Sequence, residues 1–489
     1  MRSALETASQ RMFPFAGERT DGRIDQVIAH LPGRTVLVVG LGESGYDAAM
    51  FLLSKDARVR CTDSAASDVL GARKRQVERL GAEVELGGHT GRFYADCEMV
   101  VVSPGVDPCS LPLVLADSEG IPVIGEMELA FWFCRSRIVG ITGTNGKTTT
   151  CELTNRILSE GDLMTATAGN IGLPLVRKVA EAEAPEILVV EISSFQLERI
   201  HKFRPFISVV LNITDDHLDR YESFQEYVEA KRRIAENQRR GDFLIVNERV
   251  RHLFANGNGG DFPTVFTVGS SRCADLSFGQ GRILSRVSGE EKLYDVGSHW
   301  HLRGEHNLEN AAAAIGVAEI LGVGERAIYS ALSSFRGLHH RIEFVDEIFG
   351  VGFVDDSKAT NVDAAVKALE SFSEPVILIA GGRDKGGAYE PLKEAARGRV
   401  KLAVLIGEAR EKLKFCLGQV IPTVSAENMD AAVELAFENA AKGEVVLLSP
   451  ACSSFDMFAD YKHRGQTFQR KVKQLKQKLE ERRRNHEAA

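Results

Sequence analysis

Two glycine-rich turns constrain this chain more than any other feature, because each stands between an apolar run of strand character and a segment of helical character. The first, Gly40-Leu41-Gly42-Glu43-Ser44-Gly45, follows Thr35 to Val39; the second, Gly143-Thr144-Asn145-Gly146-Lys147-Thr148-Thr149, follows Arg137 to Ile141. Such a turn leaves unpaired amides at a helix N-terminus, a ready seat for phosphate. Each normally opens its own nucleotide-binding unit, so two sheets rather than one are expected from these turns alone. At 489 residues the chain has room for roughly three domains.

From about residue 34 short β-rich runs alternate with longer amphipathic segments, the pattern of parallel sheets covered by helices. The class is α/β. Expected strands are Thr35 to Val39, Val59 to Cys61, Met99 to Val102, Arg137 to Ile141, Ile187 to Ile192, Ile207 to Leu211 and Phe243 to Val246, then Gly352 to Val354, Val376 to Ile379, Leu402 to Ile406 and Val445 to Leu448. Boundaries near 135 and 337 divide the chain into an N-terminal extension (1–30), a Rossmann-like first domain (31–135), a central parallel-sheet domain of P-loop ATPase type (136–337), a Rossmann-like third domain (338–470) and a basic tail (471–489). Residues 1–30 show no clear strand-helix rhythm and read as a poorly ordered extension. Asn256 to Asp261 and Gly269 to His299 read as turns and short strands. From Arg470 to Arg484 eight basic and two acidic residues put Val472, Leu475 and Leu479 on one helical face, the pattern of a solvated terminal helix, with an anionic partner as the alternative reading.

No apolar run approaches the roughly 18 to 20 residues of a membrane span, so membrane insertion is not expected. The N-terminus has no apolar core of a secretory signal, and the eight cysteines are scattered singly, as in a cytoplasmic protein with reduced thiols. The formal charge of −8 argues against wrapping nucleic acid with the whole surface, so no nucleic-acid partner is expected, although the local basic stretch at the end of the chain could meet a backbone.

The first turn and Asp63, at the end of the next strand, would by themselves suggest NAD, with the carboxylate on a ribose. The second turn is more specific. Amides from Gly143 to Lys147 would cradle ATP phosphates, Lys147 would neutralise their charge, and the Thr148 hydroxyl would reach magnesium. The usual P-loop carries a glycine where this chain has Ile141. Glu191 ends a strand beside this loop and suits magnesium; His217, in Asp215-Asp216-His217, does not suit so hard an ion by itself. Lys231 reads as a solvated helix residue. Three later loops, Asp355 to Asn361, Gly381 to Gly387 and Leu448 to Ser454, follow strands and carry cations and hydroxyls suited to a dicarboxylate. A diphosphate-type site, an ATP loop with acidic strand ends and a cationic third domain together point to ATP-driven joining of two substrates.

Thr142-Gly-Thr-Asn-Gly-Lys-Thr148, Gly169-Asn170-Ile-Gly172, Glu191-Ile-Ser-Ser-Phe-Gln-Leu197, Asn212-Ile-Thr-Asp-Asp-His217, and His306-Asn307 with Asn310 closely resemble the Mur ligase family over about residues 34 to 470. Asp356-Ser-Lys-Ala-Thr-Asn361 and Leu448-Ser-Pro-Ala-Cys-Ser-Ser-Phe-Asp456 resemble its D-glutamate-adding branch. The resemblance implies that the first domain binds the UDP of UDP-N-acetylmuramoyl-L-alanine rather than NAD. It implies substrate contacts at Ser44, Asp63 and Gly105, with Asn170 and His217 near the reactive end. It implies ATP held by residues 143 to 149 with Asn310, Arg341 and Asp356, a first magnesium on Thr148 and Glu191, and D-glutamate held by Thr360, Lys385, Ser454 and Tyr461. It further implies that Lys231 is carboxylated by carbon dioxide, so that the carbamate and His217 share a second magnesium. Lys147, His217 and Lys231 would form the catalytic group of a monomeric enzyme. Three readings stay open beside this one: a nicotinamide dehydrogenase, a non-catalytic nucleotide-binding regulator, and a ligase of the same family that adds another amino acid.

Overall fold

Three sheets form in the computed structural model, which describes residues 18–216, 220–254, 262–296, 302–386 and 388–487. The first has five parallel strands in the order Glu83–Leu86, Arg58–Asp63, Thr35–Val39, Met99–Val102, Val123–Gly125. Chain order reverses between Thr35–Val39 and Met99–Val102, which opens a crevice at the C-terminal strand ends. The Gly40 turn, Asp63 and Gly105 all lie along that edge.

The second sheet runs Lys292–Asp295, Arg282–Ser285, Leu276–Gly279, Thr264–Gly269, Phe243–Asn247, Ile207–Val210, Arg137–Thr142, Ile187–Glu191, Thr165–Gly169. Its first two pairings are antiparallel and the others parallel. Ile187–Glu191 and Ile207–Val210 are buried along their whole length, as unbroken apolar runs in a doubly covered sheet should be. They flank Arg137–Thr142, so the Gly143 turn emerges between them.

The third sheet runs Glu343–Ile348, Val351–Asp355, Val445–Leu448, Val376–Gly381, Val400–Ile406, Thr423–Ser425, parallel apart from the first pairing. All the strands read from sequence are present, with ends shifted by no more than two residues. The hairpin strands between Leu276 and Asp295 fit the expected turns and short strands, while residues 256–261 and 297–299 of those segments lie outside the described residues.

The N-terminal expectation is corrected for part of its length. Glu18–Ala29 is helical, and Ile24, Val27, Ile28 and Leu31, at i, i+3, i+4 and i+7, enter the same buried cluster as Leu129 and Phe203. Apolar burial at helical spacing therefore outweighs the polar run that masks the segment in sequence. At the other end the basic tail continues the long helix Tyr461–Glu487, whose Phe468, Val472 and Leu475 are buried with Leu479 packed beside them. His340, Glu343 and Asp355 cluster beneath this helix and are held by hydrogen bonds to one another and to Gln469. Asp355 pairs with His340 Nδ1 at 2.7 Å, and Gln469 Nε2 donates to Asp355 at 2.9 Å and to Glu343 at 3.0 Å.

Two buried carboxylates join the first sheet's last helix to the second domain. Glu128, 0% exposed, accepts from the amides of His201, Lys202 and Phe203 and from Trp132 Nε1, at 2.7–2.9 Å. Four donors satisfy it. Glu126 is less well served: Oε1 accepts from the Val176 amide at 2.6 Å, but Oε2 is buried with no partner among the described residues. Burial raises its pKa to about 7 from the ordinary 4.5, with the Val176 amide pulling down and Asp47 pushing up. Because the folded value is raised, the contribution to stability is full below about pH 4.5 and is lost as pH climbs through about 7. Glu126→Gln keeps the acceptor for Val176 without the charge. Its melting temperature should match the parent near pH 4.5 and exceed it by a few degrees at pH 8; a difference independent of pH would refute the assignment.

Candidate active site

Gly143 and Gly146 adopt φ of +150° and +86°, which an L side chain rarely tolerates. A Cβ on Gly146 would also stand 2.3 Å from Asn310 Oδ1. The turn is held from beneath: the amides of Thr144 and Asn145 donate to Asn212 O and Oδ1, both at 2.8 Å. Helix Lys147–Glu160 then begins, and Thr148 and Thr149 stand in its first turn. Lys147 Nζ folds back onto the carbonyls of Gly143 and Thr144 at 2.9 and 2.8 Å.

Glu191 ends its strand one register position from this loop, paired with Ile141. It is 3% exposed; Oε1 accepts from Asn170 Nδ2 at 3.0 Å, while Oε2 is buried without a partner among the described residues. A carboxylate oxygen stranded in that way fits a cation. Lys231, read from the residues alone as solvated, is 1% exposed, which corrects that reading. Its amine donates to Gly143 O at 3.0 Å and lies 4.7 Å from the centre of the Tyr227 ring. Burial, then the charge of Lys147, push its pKa well below the lysine norm, against the pull of Asp216 and Glu191. His217 lies outside the described residues.

Asn310 is buried on helix Glu305–Ile320 and accepts from Thr150 Oγ1 at 3.3 Å, which seats it under the loop. His306, one turn earlier, is held neutral with its pKa lowered to about 3, first by burial and then by Arg341 and Lys367. Arg341 pairs with Asp356 at 3.4 Å, and Asp356 also accepts from Ser449 Oγ at 2.9 Å. Burial raises the Asp356 carboxyl to about 6, with Arg341 opposing.

The third domain reaches back to the loop. Asn145 Nδ2 donates to Asp363 Oδ2 at 2.6 Å; Asp216 accepts from Asn361 Nδ2 at 3.0 Å and pairs with Lys385 at 3.3 Å. Asn361 caps helix Val362–Glu370 through the Ala364 amide, so the cap and the interdomain contact come from one side chain. Thr360 is half-buried beside it, Ser454 is 2% exposed, and Tyr461 opens the C-terminal helix. The Tyr461 hydroxyl meets Lys358 Nζ at 3.3 Å. Burial lowers the Lys358 pKa to about 8, with Glu191 opposing and Lys147 reinforcing the shift. Nothing in Asp356-Ser-Lys-Ala-Thr360 signals that Lys358 is buried, so its place in the site is not legible in the sequence.

In the first domain Asp63 Oδ2 accepts from the Leu41 amide at 2.7 Å and Oδ1 from Ala65 at 2.9 Å, so this carboxylate shapes the turn that Ser44 belongs to. Gly105 is exposed on the neighbouring loop, and the next residue's carbonyl accepts from Arg220 at 3.1 Å. Arg220 also forks onto Glu198 and stacks 4.3 Å from the Phe195 ring centre. That bridge across the crevice has no signature in sequence.

Three stretches of the chain match known domains: residues 34–125 the Mur ligase MurD-like N-terminal domain, 141–318 the Mur ligase middle domain, and 340–452 the Mur ligase glutamate ligase domain. The chain is 43% identical over 448 residues to the UDP-N-acetylmuramoylalanine–D-glutamate ligase of Geotalea daltonii, covering 91% of this chain and 98% of that protein. It is 44% identical over 449 residues to the protein of the same name from Geobacter metallireducens, at 91% and 98% coverage. Its fold is like that of the MurF ligase of Thermotoga maritima solved with ADP, with a TM-score of 0.57 at 16% identity over 91% of this chain and 99% of that one.

Proposed function

The chain belongs to the Mur ligase family, and from that premise we propose that it joins D-glutamate to UDP-N-acetylmuramoyl-L-alanine with ATP, in peptidoglycan precursor synthesis. The observation that carries the reading is the meeting of the third domain's Asn361, Asp363 and Lys385 with Asn145 and Asp216 beside the phosphate loop. An amino acid on the third domain is thereby brought to an activated carboxylate on the second. The domain divisions near 135 and 337 follow the same logic of one ligand per domain. We assign the reaction to the cytoplasm, where its nucleotide substrates are made available, and to a monomer. No helix among the described residues is long and apolar enough to cross a membrane.

The alanyl carboxylate attacks the γ-phosphorus of ATP, the bond to the β-phosphate oxygen breaks, and ADP leaves an acyl phosphate. The neutral amine of D-glutamate attacks its carbonyl carbon, phosphate departs, and the amine's proton is lost to give the amide. In this reading residues 143 to 149 hold the triphosphate, Asn310, Arg341 and Asp356 complete the nucleotide site, and Ser44, Asp63 and Gly105 face the UDP sugar. Thr360, Lys385, Ser454 and Tyr461 hold the carboxylates of glutamate, and Asn170 orients Glu191 through its 3.0 Å bond.

The stranded Glu191 Oε2 suits one magnesium ion; a second is proposed on Lys231 and on His217, which lies outside the described residues. Thr148 and the stranded Glu191 Oε2 would hold one; Lys231, carboxylated, would hold the other with His217. A neutral amine adds to carbon dioxide where an ammonium cannot, and the burial of Lys231 favours the neutral form. Bound there, magnesium offsets the negative charge that otherwise repels a carboxylate from a phosphate. Lys147 acts in the same sense on the β and γ oxygens.

Phosphate release tests the reading: with magnesium, ATP and UDP-N-acetylmuramoyl-L-alanine it is expected with D-glutamate and not with L-glutamate, D-aspartate or no amino acid. Release with another amino acid would move the chain within its family, and release with none would return it to a nucleotide-binding regulator.

A further inference from the structure

Lys385 stands in the middle of a turn whose geometry is set by the residue before it. Asp384 Oδ1 accepts from the Gly386 amide at 3.1 Å, an Asx turn that encloses Lys385, and Gly386 completes it at φ of +79°. The same oxygen accepts from the Tyr389 hydroxyl at 3.0 Å, and Oδ2 pairs with Lys412 Nζ from helix Arg410–Leu417. Tyr389 is 6% exposed, and its hydroxyl also lies 3.2 Å from Cys452 Sγ.

The other flank of the turn is clamped to the loop that carries Ser454. Arg383 and Ser453 exchange two backbone bonds, at 2.9 and 3.1 Å, and a Cβ on Gly382 would stand 2.2 Å from Ser453 O. The turn is therefore fixed at three points, while the Lys385 ammonium leaves it toward the second domain and Asp216. Asp384 is drawn the other way. Burial alone would raise its pKa, but Lys412, the Gly386 amide and Tyr389 together bring it below the carboxylate norm.

We propose that Asp384, braced by Tyr389 and Lys412, is a positioning residue that aims Lys385 and so sets the affinity for the amino-acid substrate. The inference rests on the reading that Lys385 meets a carboxylate of D-glutamate. It adds that the aim comes from the Asx turn, in which an oxygen acceptor matters and a charge does not. A cationic side chain on a four-carbon stem has many rotamers, and fixing its first backbone angles removes part of that freedom before the substrate arrives.

The test is steady-state kinetics on the whole enzyme, with KM measured separately for D-glutamate, ATP and the UDP substrate. Lys385→Ala should raise the glutamate KM by about 100-fold, the worth of one charge-assisted hydrogen bond. Asp384→Ala should raise it about tenfold with the other two KM values within twofold. Asp384→Asn, which keeps the acceptor, should restore it to within about threefold of the parent, and Tyr389→Phe should give a rise of about threefold. The double variant of Lys385→Ala and Asp384→Ala should be no worse than Lys385→Ala alone, because one residue works through the other. If Lys385→Ala has its effect but Asp384→Ala has none, or the two effects add, the positioning role is overturned while the substrate reading stands. If Asp384→Asn is as impaired as Asp384→Ala, the turn is not the operative element. If Lys385→Ala leaves the glutamate KM unchanged, the substrate reading fails first and the positioning role with it. Parent-like melting temperatures in Tyr389→Phe and Asp384→Asn keep the comparison clear of misfolding.

Discussion

Lys231→Ala is expected to lower kcat by about 10²–10³-fold, the scale of losing one group that stabilises charge in the transition state. The residue is 1% exposed and, among the described residues, its amine donates to the Gly143 carbonyl, so burial and the nearby Lys147 charge disfavour an ammonium there despite Asp216 and Glu191. Burial thereby shifts the balance toward the neutral amine, the form that adds to carbon dioxide. Two further results follow from the same chemistry. Lys231→Arg should be as inactive as the alanine variant, since a guanidinium stays protonated and forms no carbamate. Buffer stripped of carbon dioxide should lower the parent activity reversibly, with bicarbonate restoring it, and added formate should recover part of the alanine variant's rate by supplying a carboxylate in the vacated space. Activity within a few-fold of the parent in Lys231→Ala, or no response to bicarbonate, would remove the carbamate from the account.

The contrast between Lys231 and Glu191 shows where sequence reasoning reaches and where it stops. Glu191 was legible because position in a parallel sheet is legible: an unbroken apolar run ends at the strand's C-terminus, and that edge faces the ligand. The glycines at 143 and 146 were legible for a similar reason, since only glycine accepts their backbone angles without strain. Lys231 lies on helix Phe224–Arg232 among Glu226, Glu229 and Arg232, a surface-like run. What buries it is the Gly143 loop, 88 residues away in the chain, and no local pattern encodes that approach. The resemblance to a family supplied the residue; its surroundings supply the physical reason.

Strands divide along the same line. Ile187–Glu191 announces itself with four β-branched or aliphatic residues, whereas Thr165–Gly169, with the sequence Thr-Ala-Thr-Ala-Gly, is a half-buried edge strand without an apolar run. Val123–Gly125 and Thr423–Ser425 are three residues each, too short to show alternation. Glu18–Ala29 carried its signal in the spacing of Ile24, Val27, Ile28 and Leu31, obscured by the polar residues between them. The interdomain bridges of Arg220, Asp216 and Asp363 are invisible in principle to a reading along the chain, because each joins residues more than 100 positions apart.

Glu191→Gln should separate the metal's contribution from that of the fold. Glutamine keeps the volume of the side chain and an acceptor for Asn170, and removes only the charge whose second oxygen is stranded. Without metal, the variant's melting temperature should equal or exceed the parent's, because a buried carboxylate oxygen with no partner weakens the folded state. With magnesium and ADP the order should reverse. The parent gains stability in proportion to ligand occupancy, by about 2.7 kcal/mol at a hundredfold excess over Kd, while the variant gains little. Its kcat should fall by about 10²–10³-fold, because the γ-phosphate and the attacking carboxylate then face each other with less positive charge between them. A variant that is destabilised without metal yet still stabilised by magnesium and ADP would mean that Glu191 serves the fold rather than the ion. The stranded oxygen would then need another occupant, and the first magnesium would have to rest on Thr148 and the phosphates alone.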